Sequence, residues 1–258
     1  MSKHLKRIAS PRSWAIPRKT TKWVVKPSPG PHPGEYAVSL LLVVREILNL
    51  AKTNAEARRI IGDGGILIDG KIVKDYKYPV GFMDVISIPK INLQYRALLD
   101  TRGKLTLVKI NKEEAKWKLA RIENKTTVNG GKTQLNLHDG RNILLDKNKY
   151  KTGDVLKLAI PDQKIQKSYP FEPGNIAMLI GGSHIGEFET ITKYEEIKSP
   201  KPNIVFFEDF STIKDYVFVV GQEKPEITVP DISVLDEQTK TTEAKTKTKS
   251  DKESEPSK

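Results

Sequence analysis

Three groupings in this chain have residue types that could do chemistry, and the first two fail on spacing. Gly131-Lys132-Thr133 ends like a phosphate-cradling loop, in which a glycine-rich turn leads into the N-terminus of a helix. The glycine such a loop needs five residues before Gly131 is Thr126, and Gln134 to Leu137 alternates like a strand, so a hairpin is expected there instead. Ser183-His184-Ile185-Gly186 offers an imidazole beside a turn, but Glu187 stands where a second imidazole would be needed. Adjacent carboxylates at Glu113-Glu114, Glu195-Glu196 and Glu208-Asp209 diverge on a strand or helix rather than converge on a substrate. The chain has no cysteine, which excludes a thiol nucleophile, a disulfide framework and cysteine-ligated zinc. Its four histidines, His4, His32, His138 and His184, are too scattered for a local metal-binding pair. Neither catalysis nor a cofactor, metal or small-molecule substrate is expected.

The third grouping is cationic, and its chemistry is neutralisation of a polyanion. The net charge of +12 is unevenly placed: residues 1 to 34 hold eight Lys or Arg and no acid. Lys6, Arg7, Arg12, Arg18, Lys19 and Lys22 in this arm are the expected phosphate contacts. Trp14 and Trp23 among them are suited to stacking on bases or to pinning the arm on its own protein. Six prolines and few apolar residues predict an arm that is extended or disordered until a polyanion orders it. The prolines also forbid the amphipathic helix that an anionic membrane surface would recruit, so nucleic acid is favoured over membrane. No apolar leader stands near the N-terminus, and the longest aliphatic run, Leu40 to Val44, is too short to span a bilayer. A soluble protein in a reducing compartment is expected.

A second set of cations, Arg45, Lys52, Arg58, Arg59 and Lys71, needs folded elements to hold it. Thr53-Asn54-Ala55-Glu56 fits a capping box, with the Thr hydroxyl accepting from the Glu56 amide and the Glu carboxylate reaching back to the cap amide. In the helix that follows, Ala57, Ile60 and Ile61 share the inner face, Arg58 and Arg59 point outward, and Gly62-Asp63-Gly64-Gly65 ends the element. Ile66 to Ile68 and Lys71 to Val73 flank Asp69-Gly70, whose residues tolerate the positive φ angles of a type I′ hairpin turn. Upstream, Val38 to Leu50 reads as an apolar helix with Arg45, Asn49 and Lys52 as one polar stripe. Two helices and a hairpin with outward arginines outline a small RNA-binding module.

Beyond Pro89, short alternating segments such as Leu105 to Ile110 and Gln134 to Leu137 predict β structure, interrupted by one short helix over Glu113 to Ile122 with Trp117 on its apolar side. Turns at Asn129-Gly130-Gly131, Asp139-Gly140 and Gly153-Asp154 divide this region. From Phe171, strands are expected at Ile176 to Ile180, Glu187 to Tyr194, Ile204 to Phe207 and Tyr216 to Val220. The glycines near 181 would permit turns or a close approach of an RNA backbone. The Lys-, Thr- and Glu-rich tail 231–258 is expected to be unstructured. The organisation is thus an α+β multidomain chain: a basic arm at 1–35, a small α/β RNA-binding module at 36–90, a β-rich central domain at 91–170, a small barrel at 171–225 and the tail.

These segments resemble a known family, the e-type small-subunit ribosomal protein four of archaea and eukaryotes. His4 to Pro11 with Trp14 is similar to its N-terminal arm, and Pro29-Gly30-Pro31-His32 to the junction before its first helix. Tyr78 to Ile86 is similar to the close of its RNA-binding module, and Tyr95-Arg96 with Leu99 to Gly103 to its central entry. Phe171 to Asn175, with Gly181, Gly182 and Gly186, resembles its KOW segment, which implies an SH3-like β-barrel. Proteins sharing this module often open the helix with Ser-Arg where this chain has Thr53-Asn54, which shifts the expected load to Arg58. The resemblance implies a cytoplasmic, ribosome-resident structural protein. Its expected partners are small-subunit rRNA and neighbouring small-subunit proteins, with no membrane. Other readings are an RNA-modifying enzyme of the pseudouridine-synthase kind, which would need more than residues 91–230 supply, and a visiting RNA chaperone or assembly factor.

Overall fold

The helix expected from Thr53 forms over Asn54–Gly62, with the Thr53 hydroxyl accepting from the Glu56 amide at 3.2 Å. The Glu56 carboxylate closes the cap one residue earlier than the capping box requires, accepting from the Lys52 amide at 2.9 Å. Ala57 and Ile61 are fully buried, Ile60 is half-buried, and Arg58 and Arg59 face outward. The hairpin forms as expected, Leu67–Ile68 against Lys71–Ile72, with φ of 48° at Asp69 and 74° at Gly70.

In this computed structural model, which describes residues 4–128, 130–147 and 149–229, the upstream helix is much shorter than the sequence implies. Leu40–Leu42 is α-helical, and Val43–Ile47 widens into a π turn closed by Leu48 N–H to the Val43 carbonyl at 2.9 Å. Leu40 to Val44 are all buried, so the element has no outer face there. Asn49 then takes a left-handed φ of 51°, a conformation Asn tolerates, and the chain leaves the helix. Asn49 and Lys52 therefore lie outside it, and the expected three-residue polar stripe is reduced to Arg45.

Two five-stranded antiparallel sheets organise the first two thirds of the chain. One runs in the order Lys71–Ile72, Leu67–Ile68, Val85–Ile88, Leu93–Leu99, Leu105–Lys109. It crosses residue 90 without a break, through a short 3-10 turn at Pro89–Ile91. The other is ordered Asn142–Leu145, Thr133–Leu137, Trp117–Thr127, Val155–Ala159, Ile165–Tyr169. Its central strand replaces the helix expected over Glu113 to Ile122, of which a 3-10 turn at Glu114–Lys116 remains. Residues 118 to 122 are buried on both faces: Leu119 packs in the main core, Ala120 and Ile122 in a second one. A strand covered on both sides loses its alternation of apolar and polar residues, which is why its period was misleading.

Beyond residue 170 the strands form two three-stranded sheets: Phe188–Thr190, Ile176–Leu179, Val217–Gly221, and Lys193–Glu195, Ile204–Phe206, Ser211–Ile213. The single strand expected over Glu187 to Tyr194 is split at buried Ile191, and its halves serve different sheets. Gly181 is where a side chain would collide with the Tyr216 ring, at 2.5 Å, so its role is packing within the fold.

The N-terminal arm is not extended. Leu5–Lys6 pairs with Trp23–Val24, and Trp14, Ile16 and Val24 join the main core. Trp14 bridges to Leu105, whose amide donates to the Ser13 carbonyl at 2.8 Å. The arm has few apolar residues, but these are placed where the body has room for them, and no polyanion is needed to hold them. Residues up to Ile227 form one unit. The expected unstructured tail 231–258 and Asn129 of the expected turn lie outside the described residues.

Candidate RNA-binding surface and its internal support

The outward arginines of the Asn54–Gly62 helix are held from below. The Arg58 guanidinium lies 4.4 Å from the centre of the Tyr76 ring, and Lys77 Nζ lies 5.6 Å from the same ring, so the aromatic face gathers two cations. Arg45 Nη1 donates to Asn54 Oδ1 at 2.9 Å, which joins the π turn to the start of that helix. Lys52 is exposed just before the cap, and Lys71 is exposed on the outer hairpin strand. In the arm, Lys6, Arg12, Lys19 and Lys22 are exposed, and Arg18 is half-buried with Nη1 near the Ile8 carbonyl at 3.4 Å.

Two expected contacts are not on the surface. Arg7 is buried, its guanidinium forked onto both carboxylate oxygens of Glu46, with Nη1 to Oε1 at 3.0 Å. Glu46 also lies 3.6 Å from Arg45 Nη1, so this carboxylate sits between the arm and the module. Trp14 is 2% exposed and fills the core. Both residues hold the arm in place rather than meet a ligand, because a side chain with its polar or apolar surface already covered has none left to offer. Trp23 is different: it is 51% exposed.

Beneath the surface lies a charged cluster that sequence reading missed. Lys118, fully buried, places Nζ 2.8 Å from Asp69 Oδ2, 3.1 Å from Asp84 Oδ1 and 2.8 Å from Asp139 Oδ2. Arg141 Nη2 donates to Asp69 Oδ2, and its Nε lies 3.3 Å from Asp139 Oδ2. His32 Nε2 lies 2.9 Å from Asp84 Oδ2, which also accepts from the Gly81 amide at 3.0 Å. Gly81 is required here, since a Cβ would fall 2.2 Å from the His32 ring. Burial works to raise Asp84, yet Lys118 and His32 beside it outweigh burial and hold its carboxyl well below the usual range. Asp139 is lowered against burial chiefly by Lys118, while burial pushes Asp69 up and Lys118 opposes it. Burial also lifts the nearby Tyr78 phenol to about 12, with Asp84 and Asp69 adding to it.

The cluster ties the arm through His32, the module through Asp69 and Asp84, and the central sheet through Lys118, Asp139 and Arg141. Its three carboxylates are 2–4% exposed and locked to cations, an arrangement that fastens segments and leaves no free acid or base for a substrate. Single signals were present in the sequence, a lysine inside a buried strand and an aspartate within Val80 to Ile86, but nothing local pairs them. Arg96 is a related case: fully buried, it stacks 4.3 Å from the Trp117 ring, and Nη2 donates to the Glu114 and Trp117 carbonyls. Burial lowers it to about 10. Among the described residues, no group of three or more His, Asp or Glu is placed to hold a metal, and no helix is long and apolar enough to cross a membrane.

Three family models match successive parts of the chain. Residues 1–35 match the RS4NT domain, residues 42–86 the S4 domain and residues 91–165 the ribosomal family S4e. The small ribosomal subunit protein eS4 of Methanothermobacter thermautotrophicus is 49% identical over 233 residues, covering 88% of this chain and 96% of the relative. That of Archaeoglobus fulgidus is 49% identical over 235 residues, covering 90% and 98%. The crystal structure of the 30S ribosomal protein S4e from Thermoplasma acidophilum superposes with a TM-score of 0.65 at 40% identity, covering 72% of this chain and 96% of that one. Matched from its arm to beyond its central sheet, at nearly half identity over almost the whole length of those relatives, the chain belongs to the S4e family of ribosomal proteins.

Proposed function

We propose that this protein is a structural constituent of the small ribosomal subunit that binds its rRNA and supports translation. The observation that carries the reading is the outer face of the S4-domain helix, where Arg58 and Arg59 stand clear of the core while Ala57 and Ile61 anchor the other face. Cations held on a rigid helix engage phosphate with little further ordering, and an A-form major groove that side chains cannot read leaves shape and backbone as the target. Arg45, Lys52, Arg58, Arg59 and Lys71 form the module contacts, and Lys6, Arg12, Arg18, Lys19 and Lys22 the arm contacts. The S4e family is one of ribosomal structural proteins rather than enzymes. Small-subunit proteins adjoining the site are the protein partners, and the ribosome in the cytoplasm is the location.

In this reading the chain divides into arm, S4 module, central β domain and a last unit at 171–225. The two three-stranded sheets of that unit are the halves of a KOW-type SH3-like barrel, with Val217–Gly221 in one and Ile204–Phe206 in the other. The test is sedimentation of a lysate on sucrose gradients at low and high salt, with detection of this chain. A resident constituent stays at one copy per small subunit after the salt wash. A chain that washes off into the light fractions is a visitor, and the proposal fails.

A further inference from the structure

We infer that the outer face of the arm's two-stranded ribbon is a stacking platform for an unpaired RNA base, with Trp23 as its floor. This rests on the reading that the chain binds RNA, and it adds a contact of a different chemistry from the phosphate contacts above. The chain has three tryptophans in three settings. Trp14 is buried, and Trp117 is half-buried between the Arg96 guanidinium at 4.3 Å and Lys157 Nζ at 4.0 Å. Trp23 alone of the three is among the exposed large apolar residues, at 51%.

The ribbon's register explains how it is presented. Leu5 pairs with Val24 and Lys6 with Trp23, and side chains directly opposite one another share a face. Val24 is buried and Leu5 packs on the core, so that face is inward. Lys6 and Trp23 therefore share the outer one. Lys22 Nζ lies 5.4 Å from the indole centre, and the His4 ring stands 5.7 Å away, tilted at 53° rather than lying flat on it. Residues 1–34 contain no Asp or Glu, and the arm's buried Arg7 and His32 turn to Glu46 and Asp84 on the body.

An exposed indole ringed by cations and no acid of its own segment fits a ligand that is flat, aromatic and anionic at its edge. A nucleobase carrying its phosphates meets all three requirements. A protein partner of acidic, apolar surface would meet the charge but not the flat face. The base must be unstacked, because bases inside a duplex have both faces covered.

Oligoadenylate and a blunt RNA duplex serve as probes for the full chain, read by tryptophan emission and by affinity, with Trp23→Ala and Trp23→Phe as variants. Oligoadenylate is expected to quench emission of the parent. Trp23→Ala should abolish that quench and weaken oligoadenylate binding roughly 5- to 150-fold, the range for one base–aromatic stack, with duplex binding nearly unchanged. Trp23→Phe, which keeps an aromatic face and guards against misfolding, should fall between the two. Unchanged oligoadenylate affinity in Trp23→Ala, with both probes still bound, overturns the platform and leaves the RNA-binding reading intact. Failure of the parent to bind either probe overturns that reading itself. Unchanged binding of both RNAs together with loss of Trp23→Ala from small subunits assigns the face to a protein neighbour and also overturns the platform.

Discussion

Acid should weaken this fold well above the pH at which its carboxylates protonate, and His138 is the reason. His138 is half-buried, with Nε2 shielded from solvent and the ring edge-on to Phe218 at 5.4 Å and Phe82 at 6.2 Å, and 6.2 Å from His32. Nδ1 accepts from the Arg121 amide at 3.1 Å, so the neutral ring carries its proton on Nε2, and a second proton has to displace that bond. Burial lowers the imidazole to about 3 despite neighbouring Asp139, with Lys118, His32 and Arg121 adding to the shift. A group whose folded value is depressed contributes stability that is present above its unfolded value and lost as pH falls towards the folded one. The window is therefore from about 6.5 down to about 3. One proton taken up only by the unfolded chain costs about 1.4 kcal/mol per pH unit, which makes the loss from pH 7 to pH 5 about 2 kcal/mol. Asp84 and Asp139, also depressed, add their losses only below about pH 4, and Asp69, raised by burial, works in the opposite direction. Urea unfolding at pH 7, 6 and 5 on the parent and on His138→Asn measures the effect, since an Asn oxygen still accepts from Arg121 and does not titrate. The variant starts less stable because its side chain is smaller, and the difference between the two proteins should shrink by about 2 kcal/mol at pH 5. A difference that stays constant with pH refutes the argument.

Lys118→Met should cost about 3–5 kcal/mol in urea unfolding, because it strands three buried carboxylates with Arg141 as their remaining strong cation; a loss under 1 kcal/mol would refute the fastening role. Trp14→Ala should cost about 3–5 kcal/mol, and deleting residues 1–34 should lower the melting temperature as well as flatten the salt dependence of RNA binding. An unchanged melting temperature would return the arm to the extended state its composition suggests. Arg58→Ala with Arg59→Ala should cost at most about 1 kcal/mol, the loss of an exposed cation–π contact with Tyr76, while RNA affinity falls much further. Early unfolding of that double variant, or parental RNA binding, would invert the assignment of the helix faces.

What the sequence made legible is what a few neighbouring residues decide. The Thr53 cap, the outward Arg58 and Arg59 and the Asp69-Gly70 turn were all readable, since each depends on contacts within one turn of chain. The strand Trp117–Thr127 was not, because covering both faces erased its alternation and left a run that imitates a helix. Arg7 and Trp14 read as ligand contacts because their true partners, Glu46 and Leu105, are distant in sequence. The charged cluster was hidden for the same reason. His32, Asp69, Asp84, Lys118, Asp139 and Arg141 come from five places in the chain, and Asp69 is accounted for locally by its turn.

The bridge from Trp14 to Leu105 also sets an order in time. On a growing chain the N-terminal residues emerge first, yet the strand Leu105–Lys109 on which Trp14 settles is made only after the whole S4 module and the strand Leu93–Leu99. Until then Glu46 and Asp84, the partners of Arg7 and His32, are already made, but the seat for Trp14 is not. The nascent arm, with eight positive charges and no negative one, is thus incompletely docked during synthesis and open to nucleic acid or to an escorting protein. It becomes a packed edge of the body only once the central sheet is under way.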